Sequence, residues 1–270
     1  MSSTTDRYVA RGTHPLDEVG GFFDGILAQV STWVPALGAL FDDPLRPPST
    51  KAVNAVTQPL AAGLINSGQW PVVGAGFVAA EHAMADAAWH MAWWQGKAME
   101  RLVLPAVASA SAAYTRREWF TRPMDTGYAH VTGPYVDFLC TDEYTMTMTV
   151  PVLAGGRRVG VAGADVFVES LEPLLLPALR KLHPAAALVN HAGRVIVSAE
   201  VQVAAGTLLA PGAVPRTSDI SAEDDAALPS RGELEAPRFV QPRAPLHVGE
   251  RLLVRPCGSL PLAVVHPAAG

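Results

Sequence analysis

The sequence predicts an α+β protein in which helices come first, an antiparallel sheet follows and a smaller sheet ends the chain. Three observations lead to this fold class. Apolar residues recur at three- and four-residue steps before residue 66, glycine turns join Val-, Thr- and Tyr-rich runs between residues 72 and 165, and further strand patterns follow a leucine-rich helix. Runs of helix and then runs of strand, without β-α-β alternation, are typical of α+β proteins. We therefore expect a helical region at 1–69, a sheet domain at 70–168, and a connecting helix with a smaller second sheet domain at 169–270.

The N-terminal region has one apolar stripe of helical spacing. Its members are Phe22, Ile26, Val30, Trp33, Leu37 and Phe41. The uncharged run at 25–41 is short for a hydrocarbon layer of roughly 30 Å, so we expect a helix that faces the core rather than a membrane span. Prolines at 44, 47 and 48 end this helix, and Ser49 or Thr50 caps a second helix at 51–65.

The sheet elements are predicted from residue type and turn chemistry. Strands are expected at 72–80 and 89–94, which form a hairpin, and at 128–139, 144–153 and 158–165. Helices are expected at 99–117 and 169–181, a further hairpin at 185–198 and a last pair of strands at 247–255 and 260–265. The proline-rich segment 211–246 is expected to be irregular.

Two predicted hairpins resemble one another in sequence. Leu-Ala-Gly-Gly-Arg-Arg-Val-Gly-Val at 153–161 is similar to Asn-His-Ala-Gly-Arg-Val-Ile-Val at 190–197. This similarity suggests two related units in tandem.

Composition excludes several classes of protein. With 49% apolar and 17% charged residues the chain is not disordered, and a net charge of −5 without any Lys/Arg run argues against nucleic acid and anionic membranes as partners. Cys140 and Cys257 are too few for a disulfide framework, and the first twenty residues lack the apolar segment of a signal peptide. We expect unpaired cysteines in a cytoplasmic, membrane-independent protein.

Three motifs have the residue types of known sites but not their spacing. Gly74 and Gly76 lack the third glycine and the helix of a dinucleotide site, so a packing role is preferred. Glu81, His82, Asp86 and His90 have the residue types of metal ligands, but a metal site is disfavoured because their spacing does not match that of ligands on a helix. A thiol nucleophile with its base and orienting acid is disfavoured for Cys140, His130 and Asp137, since no nucleophile elbow surrounds the cysteine.

The aromatic cluster at 89–94 has two interpretations. Trp89, Trp93 and Trp94 are half of the six tryptophans. On a strand Trp89 and Trp93 share one face and Trp94 lies on the other, so the cluster either lines an apolar pocket or fills a core.

Five polar or aromatic residues combine into a candidate binding site. Pro123 disfavours helix at the preceding residue, and on an extended segment Arg117 and Trp119 share a face. Tyr135 and Asp137 also lie two apart on a predicted strand, and Asp165 ends another strand beside a glycine. The alternative is an Arg–Asp ion pair that supports a sheet edge.

These motifs resemble the double Cache, or tandem PAS-like, sensor domains of bacterial chemoreceptors and histidine kinases. The resemblance covers about residues 70–200 and rests on four segments, Arg-Glu-Trp-Phe at 117–120, Gly-Pro-Tyr-Val-Asp at 133–137, Tyr-Thr-Met-Thr-Met-Thr-Val-Pro-Val at 144–152 and Val-Gly-Val-Ala-Gly-Ala-Asp-Val at 159–166. It implies a PAS-like fold for both sheet domains and is greatest with the amino-acid-binding members.

The resemblance also implies a role for each motif residue. Arg117 and Trp119 would hold a ligand carboxylate, and Tyr135, Asp137 and Asp165 its ammonium group. Two positions depart from the family pattern, because Phe120, which is also a ligand-binding candidate, replaces an expected tyrosine and the expected helical tyrosine is represented only by Ala112 or Tyr114.

The chemistry of these groups agrees with that implication. A guanidinium fork pairs bidentately with a carboxylate, while aspartates and a phenol accept hydrogen bonds from an ammonium group. No nucleophile or acid–base pair accompanies them, so we expect a small-molecule sensor rather than an enzyme, with no cofactor. An amino acid is the first ligand class and an amine the second, with a ligand-free interaction module as the rival. Output is expected through a separate signalling protein or a change of oligomer such as a homodimer.

Overall fold

The computed structural model describes residues 14–103, 114–136, 143–209, 238–240 and 252–268, the short segment 238–240 by its backbone alone. Its architecture is the α+β arrangement that the sequence predicts, with helices followed by two antiparallel sheets. The helical region contains α1 (Pro15–Ser31), α2 (Val34–Ala39) and α3 (Thr50–Ile65).

The apolar stripe is buried, but it spans two helices rather than one. All six stripe residues lie in the core, yet α1 ends at Ser31 and α2 begins at Val34. Pro35 explains the division, because it has no N–H to continue the hydrogen-bond ladder and is tolerated in a first helical turn. Within the described residues no helix has the length and apolar character needed to cross a membrane.

Helix α3 begins and ends as predicted. The Ser49 hydroxyl accepts a hydrogen bond from the Ala52 N–H at 3.2 Å, which caps the helix, and Asn66 follows its last residue. The helix packs against the first two strands of the sheet that follows.

The first sheet has six strands in the order β3-β2-β1-β6-β5-β4, all paired antiparallel. Their bounds are β1 (Val72–Ala79), β2 (Met91–Gln95), β3 (Glu100–Arg101), β4 (His130–Val136), β5 (Tyr144–Ala154) and β6 (Arg157–Phe167). Helix α4 (Glu118–Thr126) precedes β4 and contacts β4, β5 and β6.

The second sheet follows helix α5 (Val168–Leu182) and has the order β8-β7-β11-β10-β9. Its strands are β7 (Ala187–Asn190), β8 (Val195–Ser198), β9 (Arg238–Val240), β10 (Leu252–Pro256) and β11 (Leu262–Pro267). Apart from the short edge strand β3, the two sheets share one order, in which the strands of each unit run second, first, fifth, fourth, third. This common order is the PAS-like topology that the resemblance implies.

The similar hairpins do not occupy equivalent places in the two units. Segment 153–161 spans the turn between β5 and β6, the last two strands of the first sheet, whereas segment 190–197 joins β7 and β8, the first two of the second. Two related units are present, but the similarity of the hairpins reflects shared turn chemistry rather than equivalent positions.

Two element predictions are wrong where the structure can test them. The helix expected at 99–117 begins instead with β3 and ends with a 3-10 turn at Tyr114–Arg116, while residues 104–113 lie outside the described part. The turn at Gly96, which has a φ of +62°, lets Glu100 pair with Gln95, and this pairing overrides helix propensity. The segment expected to be irregular contains β9, which pairs with β10.

The faces of the first sheet have different neighbours. One face packs on α1, α2 and α3 through side chains such as Phe77, Trp94 and Met148. The other carries a smaller cluster that includes Val78, Trp93 and Tyr114, and this second face bears the candidate site.

Candidate ligand-binding site

A pocket lies on the face of the first sheet that is turned away from α1 and α3. The space inside it, counted out to its open mouth and including solvent there, is about 540 Å³. Its lining residues are Met91, Trp93, Leu102, Tyr114, Arg117, Trp119, Tyr135, Val136, Thr147 and Asp165. The walls are mostly apolar or aromatic, and the polar groups come from four separate elements.

A chain of hydrogen bonds joins three of the lining residues. The Thr147 hydroxyl donates to Asp165 Oδ1 at 2.6 Å, and the Tyr135 hydroxyl lies 2.6 Å from Thr147 Oγ1. Asp165 is only 5% exposed, so the pocket contains a buried carboxylate. These three residues form the acidic pole of the pocket.

Strand alternation places Thr147 at this pole. On β5, Met146 and Met148 point into the helical core, so Thr145, Thr147 and Thr149 point to the opposite face. All three threonines are buried. In the antiparallel register Thr147 is directly opposite Asp165 on β6, which brings hydroxyl and carboxylate together.

Glycine at position 74 makes room at the acidic pole. A Cβ at this position would lie 2.8 Å from Trp93 Nε1 and 3.3 Å from Asp165 Oδ2. The absence of a side chain therefore lets the indole and the carboxylate approach the sheet. This is the packing role expected for the glycine pair.

Arg117 and Trp119 both line the pocket, but not on an extended segment. Helix α4 starts at Glu118, immediately after Arg117, whose own backbone is extended, with φ −78° and ψ 145°. The expectation that the whole segment is extended is therefore wrong. The two side chains still reach one pocket because Arg117 precedes the helix and Trp119 lies in its first turn.

Pro123 is accommodated inside α4 by a tertiary hydrogen bond. A proline cannot donate to the carbonyl four residues earlier, which here is that of Trp119. That carbonyl instead accepts a hydrogen bond of 2.8 Å from the Thr149 hydroxyl on β5. The exchange fixes the Trp119 backbone to the sheet beside the acidic pole.

Aromatic rings pack behind Trp119. Its ring stacks on that of Tyr114, with centroids 6.4 Å apart, and meets Phe120 edge-on at 6.1 Å. Burial raises the pKa of the Tyr114 phenol far above its usual value, so the group stays protonated. Phe120 is buried in this cluster and is not among the lining residues, so it supports the wall from behind.

The structure brings most of the predicted residues together. Arg117, Trp119, Tyr135 and Asp165 line one pocket, and Asp137 lies outside the described residues. Sequence reasoning missed Thr147, although the Thr-Met alternation of β5 shows a polar stripe on a buried strand. It also missed Leu102 and Val136, which have no such signal.

The tryptophan cluster has both of the roles considered for it. Trp93 lines the pocket, Trp94 packs into the helical core and Trp89 lies against the cluster behind the pocket.

Two members of the disfavoured metal group have structural contacts. The Asp86 carboxylate accepts hydrogen bonds from the Thr50 N–H and hydroxyl at 2.8 and 3.0 Å, and His90 Nε2 lies 2.9 Å from Asn54 Oδ1. Among the described residues no group of three or more potential ligands is placed to hold a metal. Cys257 is buried and unpaired, and burial raises its pKa to about 12. Cys140 lies outside the described residues, and we predict from the sequence that both thiols are dispensable for ligand binding.

Glu118 connects the site-bearing helix to the second sheet. His130 Nε2 donates to its carboxylate at 2.9 Å, and His191 Nε2 on the turn between β7 and β8 lies 3.5 Å away. Burial raises the pKa of Glu118, but the hydrogen bond from His130 and the charges of His191 and Arg122 outweigh burial and lower it. The carboxylate is therefore ionised at neutral pH.

A buried hydrogen bond from a side chain to the backbone also joins the first and second sheets. The Asn190 side-chain amide on β7 donates to the Gly133 carbonyl on β4 at 2.7 Å. Gly133 lies two residues before Tyr135, so the acidic pole is anchored to the second sheet through its own strand.

Part of the chain is similar to a known family of sensor domains. Residues 81–173 match the family model of the methyl-accepting chemotaxis protein-like first PDC sensor domain. A search of curated protein sequences found no significant match.

Solved structures share this fold over most of their length. The extracellular domain of the putative histidine kinase mmHK1S-Z3 is 13% identical with a TM-score of 0.59, and 93% of this chain aligns with 90% of that one. The ligand-binding domain of the Pseudomonas aeruginosa PAO1 amino acid chemoreceptor PctC, in complex with GABA, is 19% identical with a TM-score of 0.52, over 98% of this chain and all of that one.

A second receptor domain from the same organism shows the same likeness. The ligand-binding domain of the amino acid chemoreceptor PctB, in complex with L-Arg, is 16% identical with a TM-score of 0.51, over 93% and 88% of the two chains. At these identities the likeness establishes the fold. The matched family model and these solved structures are those of sensor domains and not of enzymes. The resemblance to Cache-type domains is confirmed, because residues 81–173 match the family model of a chemoreceptor PDC sensor domain.

Proposed function

We propose that this protein binds a small amino acid in the pocket of the first sheet and acts as its sensor. The observation that carries the proposal is the polarity of that pocket. A buried carboxylate, that of Asp165, and an arginine, Arg117, contribute to one cavity whose remaining walls are largely apolar. A zwitterion needs one acceptor-rich and one donor-rich pole, and Arg117 supplies the second.

The two poles differ in exposure, and this difference orients the ligand. Asp165 is buried, whereas Arg117 is exposed. Charge pairs are worth far more when they are desolvated than at a surface. The ammonium group therefore binds inward at the acidic pole, and the carboxylate lies outward beside Arg117.

The relatives support an amino-acid ligand and also a ligand with a distant carboxylate. PctB is bound to L-Arg and PctC to GABA, whose amino and carboxyl groups are three methylene groups apart. The same inward ammonium orientation serves an α-amino acid and an ω-amino acid, since only the position of the carboxylate near the mouth changes.

An amine without a carboxylate is the second candidate. The exposure of Arg117 favours it, because an amine would use the buried acidic pole and leave the exposed guanidinium in solvent. Asp165→Asn should weaken both kinds of binding strongly, whereas Arg117→Ala should weaken only that of an amino acid.

A thermal-shift screen over the twenty L-amino acids, GABA and simple alkylamines tests the proposal. A compound at 100 times its dissociation constant stabilises the folded protein by about 2.7 kcal/mol. Binding is then measured by calorimetry on the parent protein and on Asp165→Asn. If no compound shifts the melting temperature, or if Asp165→Asn binds as tightly as the parent, the proposal is wrong.

Location and output remain predictions from the sequence. A cytoplasmic protein that passes its signal to a separate regulator or through homodimerisation is expected. Fractionation in which the protein partitions with membranes and needs detergent for release would contradict the cytoplasmic location.

A further inference from the structure

Thr147 lies in one of the four segments that carry the sequence resemblance, but the resemblance implies no role for it, and it lies at the centre of the acidic pole. The residue is 2% exposed and contacts two of the three residues expected to hold an ammonium group. The number of hydroxyl protons in this small network determines whether the acidic pole presents hydrogen-bond donors or acceptors to a ligand.

A threonine hydroxyl has one proton to donate and lone pairs to accept. The carboxylate of Asp165 only accepts, so the 2.6 Å bond to Oδ1 uses the Thr147 proton. The 2.6 Å bond between Thr147 and Tyr135 must then use the Tyr135 proton, with Thr147 as acceptor. Donation therefore runs in one direction, from Tyr135 to Thr147 to Asp165.

This direction gives the pole a single chemical character. Tyr135 directs its proton to Thr147 and meets a ligand through its oxygen lone pairs, and the Asp165 carboxylate is likewise an acceptor. A group that donates at least two hydrogen bonds can bond to both oxygens, whereas a carbonyl or carboxylate oxygen would face acceptors in a buried place, which is costly.

We propose that Thr147 is a positioning residue that sets the direction of these hydrogen bonds and so makes the pocket select ligands with an N–H-bearing ammonium group over their oxo analogues. The inference rests on the proposed function and deepens it. In the absence of the Thr147 hydroxyl the Tyr135 proton is free to turn toward Asp165 or the pocket, and the pole then presents a donor where an ammonium group needs an acceptor.

The test compares two compounds of nearly equal size and shape, L-leucine and 4-methyl-2-oxopentanoate, by calorimetry. If the screen finds another amino acid to bind more tightly, that amino acid and its 2-oxo analogue replace this pair. The quantity measured is the preference, the ratio of the two dissociation constants, in the parent, Thr147→Val, Thr147→Ser and Thr145→Val. Valine matches the shape of threonine on a strand and removes only the hydroxyl.

Thr145 supplies the matched control. It is a buried threonine on the same strand and face, but its hydroxyl donates to the Glu143 carbonyl at 3.2 Å and it does not line the pocket. The parent is expected to prefer L-leucine. Thr147→Val should reduce that preference by about 10- to 100-fold, the value of one hydrogen bond to a charged group. Thr147→Ser and Thr145→Val should preserve it to within about twofold.

Each other outcome decides the question. An unchanged preference in Thr147→Val, or equal weakening of both compounds, means that Thr147 is only structural and overturns the inference while the proposed function stands. If no amino acid binds the parent, the proposed function fails and the inference fails with it. Should Thr147→Val not fold, Tyr135→Phe removes the same acceptor and must lower the preference in the same way, or the inference is overturned.

Discussion

On its pocket face the first sheet buries a carboxylate and a row of threonines, whereas the described side chains of the second sheet, which has the same strand order, include a buried apolar cluster. That cluster consists of Ala187, Val189, Val195, Val203, Leu209, Leu252, Val254, Ala263 and Val265. Burying a charge without partners is costly, and an apolar filling of the same volume is at least as stable. The polar residues of the first sheet are thus retained at some cost to stability, which is typical of a site.

The largest expected effect is a loss of ligand affinity caused by a substitution in the first sheet. Asp165→Asn keeps the shape of the side chain and an acceptor for Thr147 but removes the buried charge, so ligand affinity should fall by about 30-fold to several-thousand-fold. Calorimetry with the amino acid found in the screen measures this loss. Asp125→Asn, an exposed aspartate on α4, is the control and should bind normally. Equal affinities for Asp165→Asn and the parent would place the site elsewhere.

The complementary change lies in the second sheet. Leu252 is fully buried in the apolar cluster, and Leu252→Ala should lower the free energy of unfolding by about 2–5 kcal/mol through the cavity it leaves. Ligand affinity, measured well below the melting temperature, should stay near that of the parent. A loss of affinity as large as that of Asp165→Asn would show that the second sheet is part of the site and not only its support.

The loss of folding stability at low pH should also originate in the first unit, at His90. Burial, with a smaller effect from Arg101 and against the charge of Asp86, lowers the pKa of His90 from 6.5 to about 4. The unfolded chain therefore binds the proton more readily between these values. The resulting stabilisation is complete above pH 6.5 and is lost as the pH falls toward 4, to a total of up to about 3 kcal/mol.

His90→Gln tests this linkage, because glutamine retains a donor for Asn54 without titrating. Melting temperatures recorded from pH 7 to pH 4 should fall less steeply for this variant. His82→Gln is the control, since the His82 side chain is 74% exposed, and should follow the parent. If the curves of His90→Gln and the parent have the same slope, His90 is not the titrating group.

The smallest effect distinguishes the two ligand classes. Arg117 is exposed, so Arg117→Ala should weaken an amino acid only about tenfold and leave an alkylamine unchanged. The two affinities are compared by calorimetry on one variant. A loss larger than that of Asp165→Asn would reverse the proposed orientation of the ligand.

Features with a local signal could be predicted from the sequence. The stripe of α1 and α2, the capped start of α3 and the strands that hold Tyr135 and Asp165 all follow from spacing and turn residues. The polarity of the site followed from residue types and from the family resemblance.

Features that depend on distant partners could not be predicted. Helix α4 forms despite Pro123 because the Thr149 hydroxyl, which lies on strand β5, donates a hydrogen bond to the Trp119 carbonyl that the proline leaves without a helical donor. The position of Thr147 depends on the pairing register of β5 and β6, and the contact between Glu118 and His191 joins two sheets. No residue pattern along the chain specifies such pairings.

The position of the ligand ammonium nitrogen tests the central claim most directly. We would determine a crystal structure of the protein with the amino acid that binds most tightly in the screen. The nitrogen is expected within about 2.7–3.2 Å of Asp165 Oδ2 and the Tyr135 oxygen, with the carboxylate directed toward Arg117 at the mouth. A ligand with its carboxylate at Asp165, or one bound against the second sheet, would contradict the account.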